Sequence, residues 1–166
     1  MKRSDAHQFS AHGGVQRSQH AALCWRMHRG HVEVLLITSR DTGRWVIPKG
    51  WPMADKTPAE TAAQEAWEEA GVRGRTDEDP VGFFAYDKLR APLDPMPCAV
   101  TVFSLRVEKV AAKFPERKER RRKWFAARSA ARKVEEPELR ALLVAIAEDS
   151  GLLQDRADRL DRELGA

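Results

Sequence analysis

The chain is poor in cysteine, with two in 166 residues. Cys24 and Cys98 lie far apart, each inside an apolar stretch, which excludes a disulfide framework and a thiolate metal site and predicts two buried, reduced thiols. No hydrophobic run approaches the length of a membrane span. Lys2 and Arg3 are not followed by the apolar segment of a secretion signal, so a cytoplasmic protein with no membrane partner is expected. No glycine-rich phosphate loop follows a strand, which argues against a P-loop enzyme. His7 and His12 match no spacing of zinc ligands, and there are no internal repeats.

What is present suits one soluble domain: 42% hydrophobic and 33% charged residues, with a formal charge of +4 and a pI near 9.3. That basic balance points to an anionic ligand met by lysines and arginines, with nucleic acid as a competing partner.

The stretch from Gly50 to Val72 organises the rest. Thr57 suits a helix N-cap, Glu60 completes a capping box, and Pro58 stands at the first helical position. Alanines at 59, 62, 63, 66 and 70 favour helix, and Gly71 suits a left-handed end. At roughly 100° per residue, Glu68 lies about −60° and Glu69 about +40° from Glu65. Ala59, Ala63, Ala66 and Ala70 form a neighbouring smooth strip that can approach a sheet closely. An exposed acidic face usually carries lysines at i+4, and this helix has none. Three crowded carboxylates beside a loop shaped by Pro48, Gly50 and Pro52 fit a hard divalent cation, Mg²⁺ first and Mn²⁺ second.

This stretch resembles a Nudix box, the signature of hydrolases of nucleoside diphosphates linked to other groups. Gly50, Glu65, Glu68, Glu69, Gly71 and Val72 match in register, with Ala66 at a position for an apolar residue. Two positions depart: Lys56 stands where the pattern has Glu, and Gln64 where it has Arg. In the family those two residues help hold the loop and orient the metal-binding carboxylates. Here an acid and a base are lost together, and Lys56 is expected to reach Gln64 or a nearby carboxylate. Within the family, Trp45 to Gly50, the box and the late Lys123-Trp124-Phe125 look most similar to bacterial relatives of the diphosphoinositol polyphosphate phosphohydrolases.

Taken in order, residues 1–18 read as a polar, flexible tail and 19–150 as the Nudix-like domain. Residues 151–166 read as a charged extension with weak helical periodicity. Gln19–Met27 and His31–Ser39 should form a hairpin, and His31–Ser39 is apolar enough to be buried on both faces. Trp45–Gly50 reads as a short strand, Arg73–Pro80 as a polar connection, and Val81–Lys88 as a strand. Leu89–Pro97, with three prolines, reads as a loop, and Cys98–Val107 as a strand. Lys113–Phe125 is dominated by basic residues, either a solvated loop or an electropositive rim, and ends in a short strand. Glu136–Ala147 is an apolar helix expected on the sheet face opposite the acidic helix. Strands, helix, strands, helix predict an α/β fold with a mixed sheet between helices, the α/β/α sandwich that the resemblance also implies.

The expected function is Mg²⁺-dependent cleavage of a phosphoanhydride bond. The substrate is a small-molecule polyphosphate: a nucleoside diphosphate derivative, a dinucleoside polyphosphate or a diphosphoinositol polyphosphate. Glu65, Glu68, Glu69 and the Gly50 carbonyl are the expected metal ligands, with Glu68 and Glu69 also taking part in catalysis. Some Nudix enzymes draw a further carboxylate from a late loop, which selects Glu119 with Glu116 as its neighbour. Lys49, Arg40 and Arg44 are expected to bind substrate phosphates. The rivals are a Nudix-fold sensor that binds a phosphorylated ligand or RNA without cleaving it, and an RNA 5′ pyrophosphohydrolase.

Overall fold

Arg29 and Gly30 both take positive φ, 51° and 79°, the backbone that a two-residue hairpin turn requires. They join β2 (Val15–His28) to β3 (His31–Thr38), which pair antiparallel from Trp25–Val34 to His28–His31. The computed structural model describes residues 8–9 and 15–165. His7 and His12 lie outside the described residues. Of the segment read as a tail, β1 (Gln8–Phe9) pairs with the start of β2, so ordered strand begins at Val15, before residue 19.

β2 is the hub of a mixed sheet. It runs parallel to β8 (Leu93–Val110) from Arg17–Cys98 to Trp25–Arg106, and antiparallel to β5 (Lys49–Gly50). On one side β3 pairs with β4 (Trp45–Val46) and with β9 (Arg122–Ala126). On the other, β8 pairs with β6 (Val72–Thr76) and β7 (Gly82–Arg90). The burial of β3 on both faces agrees with its apolar run.

Alternation along β2 divides the core. Ala22 and Cys24 face α1 (Pro58–Ala70) and pack with its Ala59, Ala62, Ala66 and Ala70. Ala21, Leu23 and Trp25 face the other way. There they meet α2 (Ala127–Lys133), α3 (Pro137–Glu148) and α4 (Gly151–Glu163), through residues such as Ala130, Leu139, Leu143, Ile146 and Leu153. The result is the expected α/β/α sandwich. The buried alanine stripe is rotated from the expected one, with Ala62 fully buried and Ala63 half-buried.

Three local expectations are corrected. The span 73–80 is not only a connection, because β6 occupies its first half and pairs with β8. Leu89–Pro97 is not a loop over the site: β7 and β8 run through it and turn at Ala91-Pro92, and Pro95 and Pro97 lie in β8. The described pairing of β8 with β2 starts only at Cys98, so both prolines precede the stretch where β8 has strands on both sides. Trp45–Gly50 is split at Ile47-Pro48 into β4 and β5.

The last helix is tied down. The Arg156 and Arg159 guanidiniums donate to the buried Asp77 carboxylate at 3.0 and 2.8 Å, and Arg156 also donates to the Asp79 and Pro80 carbonyls. Among the described residues no helix is long and apolar enough to cross a membrane.

Candidate functional site

The acidic helix starts and stops as its residues dictate. Thr57 Oγ1 accepts from the Glu60 amide at 3.1 Å, and Glu60 Oε1 accepts from the Thr57 amide at 2.9 Å, closing the capping box. Gly71 ends the helix at φ 67°. A Cβ there would lie 2.3 Å from the Phe114 ring as well as being strained by that φ. The Arg122 guanidinium donates to the Ala70 and Ala111 carbonyls at 2.7 and 2.6 Å, a cation at the negative end of the helix. Through these contacts the loop 111–121 is bound to the end of α1.

The three helix carboxylates then take distinct places. Glu65 lies against the backbone of Gly50: a Cβ at residue 50 would stand 2.1 Å from Glu65 Oε1. Glu69 is only 8% exposed. Its Oε2 accepts from the Lys49 amide at 3.1 Å and its Oε1 from Arg120 Nη2 at 3.1 Å. Glu68 Oε1 accepts from the Gln64 amide at 3.2 Å, so Gln64 holds a box carboxylate without charge. Lys56 is exposed in the loop; of its two expected partners, Gln64 donates to Glu68 instead, while the charge of Lys56 acts on the Glu60 carboxylate.

Burial and neighbouring charge raise the proton affinity of two of these groups, Glu65 and Glu69. Desolvation, followed by the charges of Glu69 and Glu68, pushes the Glu65 carboxyl up to about 8. Desolvation pushes Glu69 up to about 7 against the opposing pull of Arg120 and the Lys49 amide. Glu116 contributes to both shifts. A carboxyl raised on folding binds protons the unfolded chain has released. Its penalty is absent below the ordinary carboxylate range and grows as pH rises toward the folded value. The metal-free protein should therefore lose thermal stability between about pH 4.5 and 8. Adding Mg²⁺ should raise the melting temperature more at pH 8 than at pH 5, as thermal scans with EDTA or Mg²⁺ would reveal.

The loop carboxylate that meets this cluster is Glu116, in place of the expected Glu119. The Glu116 amide donates to the Glu68 carbonyl at 2.9 Å, and its side chain pairs with Arg120 at 3.2 Å. Glu119 is half exposed and faces Arg40 at 3.8 Å. Arg40 is also 3.5 Å from Glu116. Arg44 turns to the start of α3, 2.7 Å from the buried Glu136. Both arginines thus have carboxylate partners. Lys49 reaches Glu69 through its amide, while its ammonium sits 4.9 Å above the Tyr86 ring, with its pKa lowered chiefly by burial.

Several residues near the cluster escaped the sequence reading. Tyr86 donates to Gln19 at 2.6 Å beneath Lys49. Lys88 lies 5.7 Å over the partly exposed Trp51, which follows Gly50 directly. His20 pairs with Gly50 across the sheet, and its buried Nδ1 lacks a hydrogen-bond partner among the described residues. Arg120 was hidden in a basic run. A tryptophan directly after the box glycine was the one available signal. Cys24, pushed up to about 12 chiefly by burial, is an inert core thiol.

Among the described residues no three His, Cys, Asp or Glu side chains converge on one metal position. The donors are nonetheless all oxygen: Glu65, Glu68, Glu69 and Glu116, with the Gly50 backbone against Glu65. Burial first, and neighbouring carboxylate charge second, raises the proton affinity of Glu65 and Glu69. In kind they fit a hard divalent cation.

The fold and this cluster define an α/β/α domain that presents an acidic loop–helix element beside a basic, aromatic rim. The chain belongs to the Nudix family: the NUDIX domain model matches residues 17–146. It is 34% identical over 104 residues to Nudix hydrolase 13, mitochondrial, of Arabidopsis thaliana, covering 60% of this chain and 52% of that protein. It is 38% identical over 55 residues to human diphosphoinositol polyphosphate phosphohydrolase 3-alpha, covering 33% and 34%. The chain thus spans about half the length of the Arabidopsis relative and about a third of the human one. Among solved structures, the Nudix hydrolase RenU of M. smegmatis aligns with a TM-score of 0.59 at 17% identity, over 90% of this chain and 97% of that one. The C. elegans Ap4A hydrolase aligns at 0.55 and 20%, over 76% and 92%.

Proposed function

We propose that this protein is a divalent-metal-dependent pyrophosphohydrolase, with Mg²⁺ as the ion and a small polyphosphate as substrate. The observation that carries this reading is Glu69. It is a buried carboxylate, fixed by a backbone amide and set one turn from the half-buried Glu65 carboxylate, which lies against a glycine. Glu65, Glu68 and Glu69 would hold the ion, with the Gly50 carbonyl and Glu116 beside them. Bound there, the ion would supply an acidified water and offset charge on the diphosphate. The Lys49 amide and Gln64 fix the orientation of the carboxylates, so little reorganisation is needed when charge develops. Lys49 and Lys88, on their aromatic rings, offer positive charge next to Gly50 for substrate phosphates. Arg40 and Arg44 would join them only by leaving Glu116, Glu119 and Glu136.

The relatives' names favour two substrate classes, diphosphoinositol polyphosphates and dinucleoside polyphosphates, and the basic rim suits either. The test is a hydrolysis screen across both classes, nucleotide sugars and triphosphorylated RNA, each with Mg²⁺, Mn²⁺ or EDTA. Metal-dependent release of a phosphorylated product from a small polyphosphate is expected. Tight, salt-sensitive binding without product under any metal would replace this reading with that of a sensor.

A further inference from the structure

The box of this chain lacks its arginine, and the loop between β8 and β9 brings one to the same carboxylates. The Arg120 side chain is 8% exposed, in a run where Arg117, Lys118, Arg121 and Lys123 all face solvent. Each of its three guanidinium nitrogens donates at least one hydrogen bond. Nη2 reaches Glu69 Oε1 at 3.1 Å and Glu116 Oε1 at 3.2 Å, Nε reaches the same Glu116 oxygen at 3.2 Å, and Nη1 reaches the Thr38 carbonyl at 3.1 Å. Among the described residues it is the cation ion-paired with a box carboxylate. Gln64, at the arginine position of the box, contributes a neutral amide to Glu68 and leaves Glu69 to this distant residue.

We propose that Arg120 is a resident counter-cation of the acidic cluster: a positioning residue that holds Glu69 and Glu116 together in the metal-free protein and sets how tightly a divalent ion binds. The inference rests on the functional reading above, which places the ion at these carboxylates. A guanidinium fork can bridge two carboxylates in fixed geometry, which a lysine cannot. It also spends part of their negative charge, so an incoming ion meets a weaker field. The protein therefore has an ordered cluster before metal arrives, at the expense of metal affinity. Anchored to the strand end through Thr38 and to the helix through Glu69, Arg120 makes the position of the loop and the charge of the cluster one variable.

The test is direct titration of Mn²⁺ into the metal-free full chain, read by the loss of the free-ion electron paramagnetic resonance signal. Arg120→Gln is expected to bind Mn²⁺ about tenfold more tightly than the wild type, because a unit charge a few ångströms from the ligands is removed. Its Mg²⁺-saturated kcat should fall with KM little changed. A merely structural arginine would lower the melting temperature without tightening the metal. An affinity in Arg120→Gln equal to or weaker than wild type overturns the proposal. A measurement on the wild type alone guards against a variant that does not fold. The Arg120 Nε–H resonance, assigned in the wild type by through-bond correlation to its own side chain and backbone, should shift and exchange faster with water as Mg²⁺ is added, and an unchanged signal at saturation overturns the proposal as well. If the wild type binds no Mn²⁺, the functional reading itself fails; if it binds and Arg120→Gln binds no tighter, only this inference does.

Discussion

Replacing Glu69 with glutamine is expected to lower metal-dependent turnover by about a thousandfold and to leave the fold in place. The substitution keeps shape and one acceptor oxygen, so the Lys49 amide can still be satisfied. It removes the negative charge on which both Arg120 and a divalent ion depend. Metal ligation contributes several kcal/mol of transition-state stabilisation, and about 4 kcal/mol corresponds to three orders of magnitude in rate. Because the Glu69 carboxyl is pushed up to about 7 by burial, neutralising it relieves a folded-state strain. The melting temperature of metal-free Glu69→Gln at pH 8 should equal or exceed that of the wild type. Full Mg²⁺-dependent activity in this variant, measured with the best substrate of the screen, would remove the metal from Glu69.

The second large effect belongs to Gly50. An alanine there puts a methyl group 2.1 Å from Glu65 Oε1 and 2.3 Å from its carboxyl carbon. The obstructed atoms are the far end of a flexible side chain, so the chain relieves the clash by swinging Glu65 away. Stability should change by less than about 1 kcal/mol, as for a substitution that meets only a movable group. Turnover should fall by about a hundredfold, since misplacing one ligand by an ångström is enough for a loss of that size. Circular dichroism melts and Mg²⁺ titrations of activity separate the two. Near-normal activity in Gly50→Ala would mean that Glu65 works from a different rotamer, clear of the loop.

The acidic helix was legible in detail because its signals are local. Thr57, Pro58, Glu60 and Gly71 each act within a few residues of themselves, and each does what its spacing implies. The burial of β3 on both faces followed from its nearly continuous apolar run for the same reason. What escaped the sequence reading depends on distant partners. β6 reads as polar linker because its middle residue is Gly74, placed in a bulge where a Cβ would strike the Arg106 carbonyl at 1.8 Å. Only β8 makes it a strand. Pro95 and Pro97 disguised the start of β8, since their position before the two-sided part of the sheet cannot be read from composition. Among the site residues, the helix glutamates and Gly50 announced themselves through spacing. Glu116 and Glu119 are the same residue type three apart, and only the folded contacts, the Glu116 amide on the Glu68 carbonyl and its carboxylate on Arg120, tell which one turns inward. Arg40 and Arg44 have the right chemistry for phosphate, but their pairing with Glu116 and Glu136 is set by elements far along the chain.

The anchoring of the late loop alters how its charge should be counted. From Lys113 to Lys123 the chain carries seven basic side chains. Arg120 and Arg122 are consumed internally, one by glutamates and one by carbonyls at a helix terminus. An approaching polyanion meets the other five, which sit on a segment bolted to the acidic helix and cannot swing out to wrap around it. Long-range attraction at this surface is consequently that of a stiff, moderately charged collar, and its sensitivity to ionic strength should be correspondingly modest.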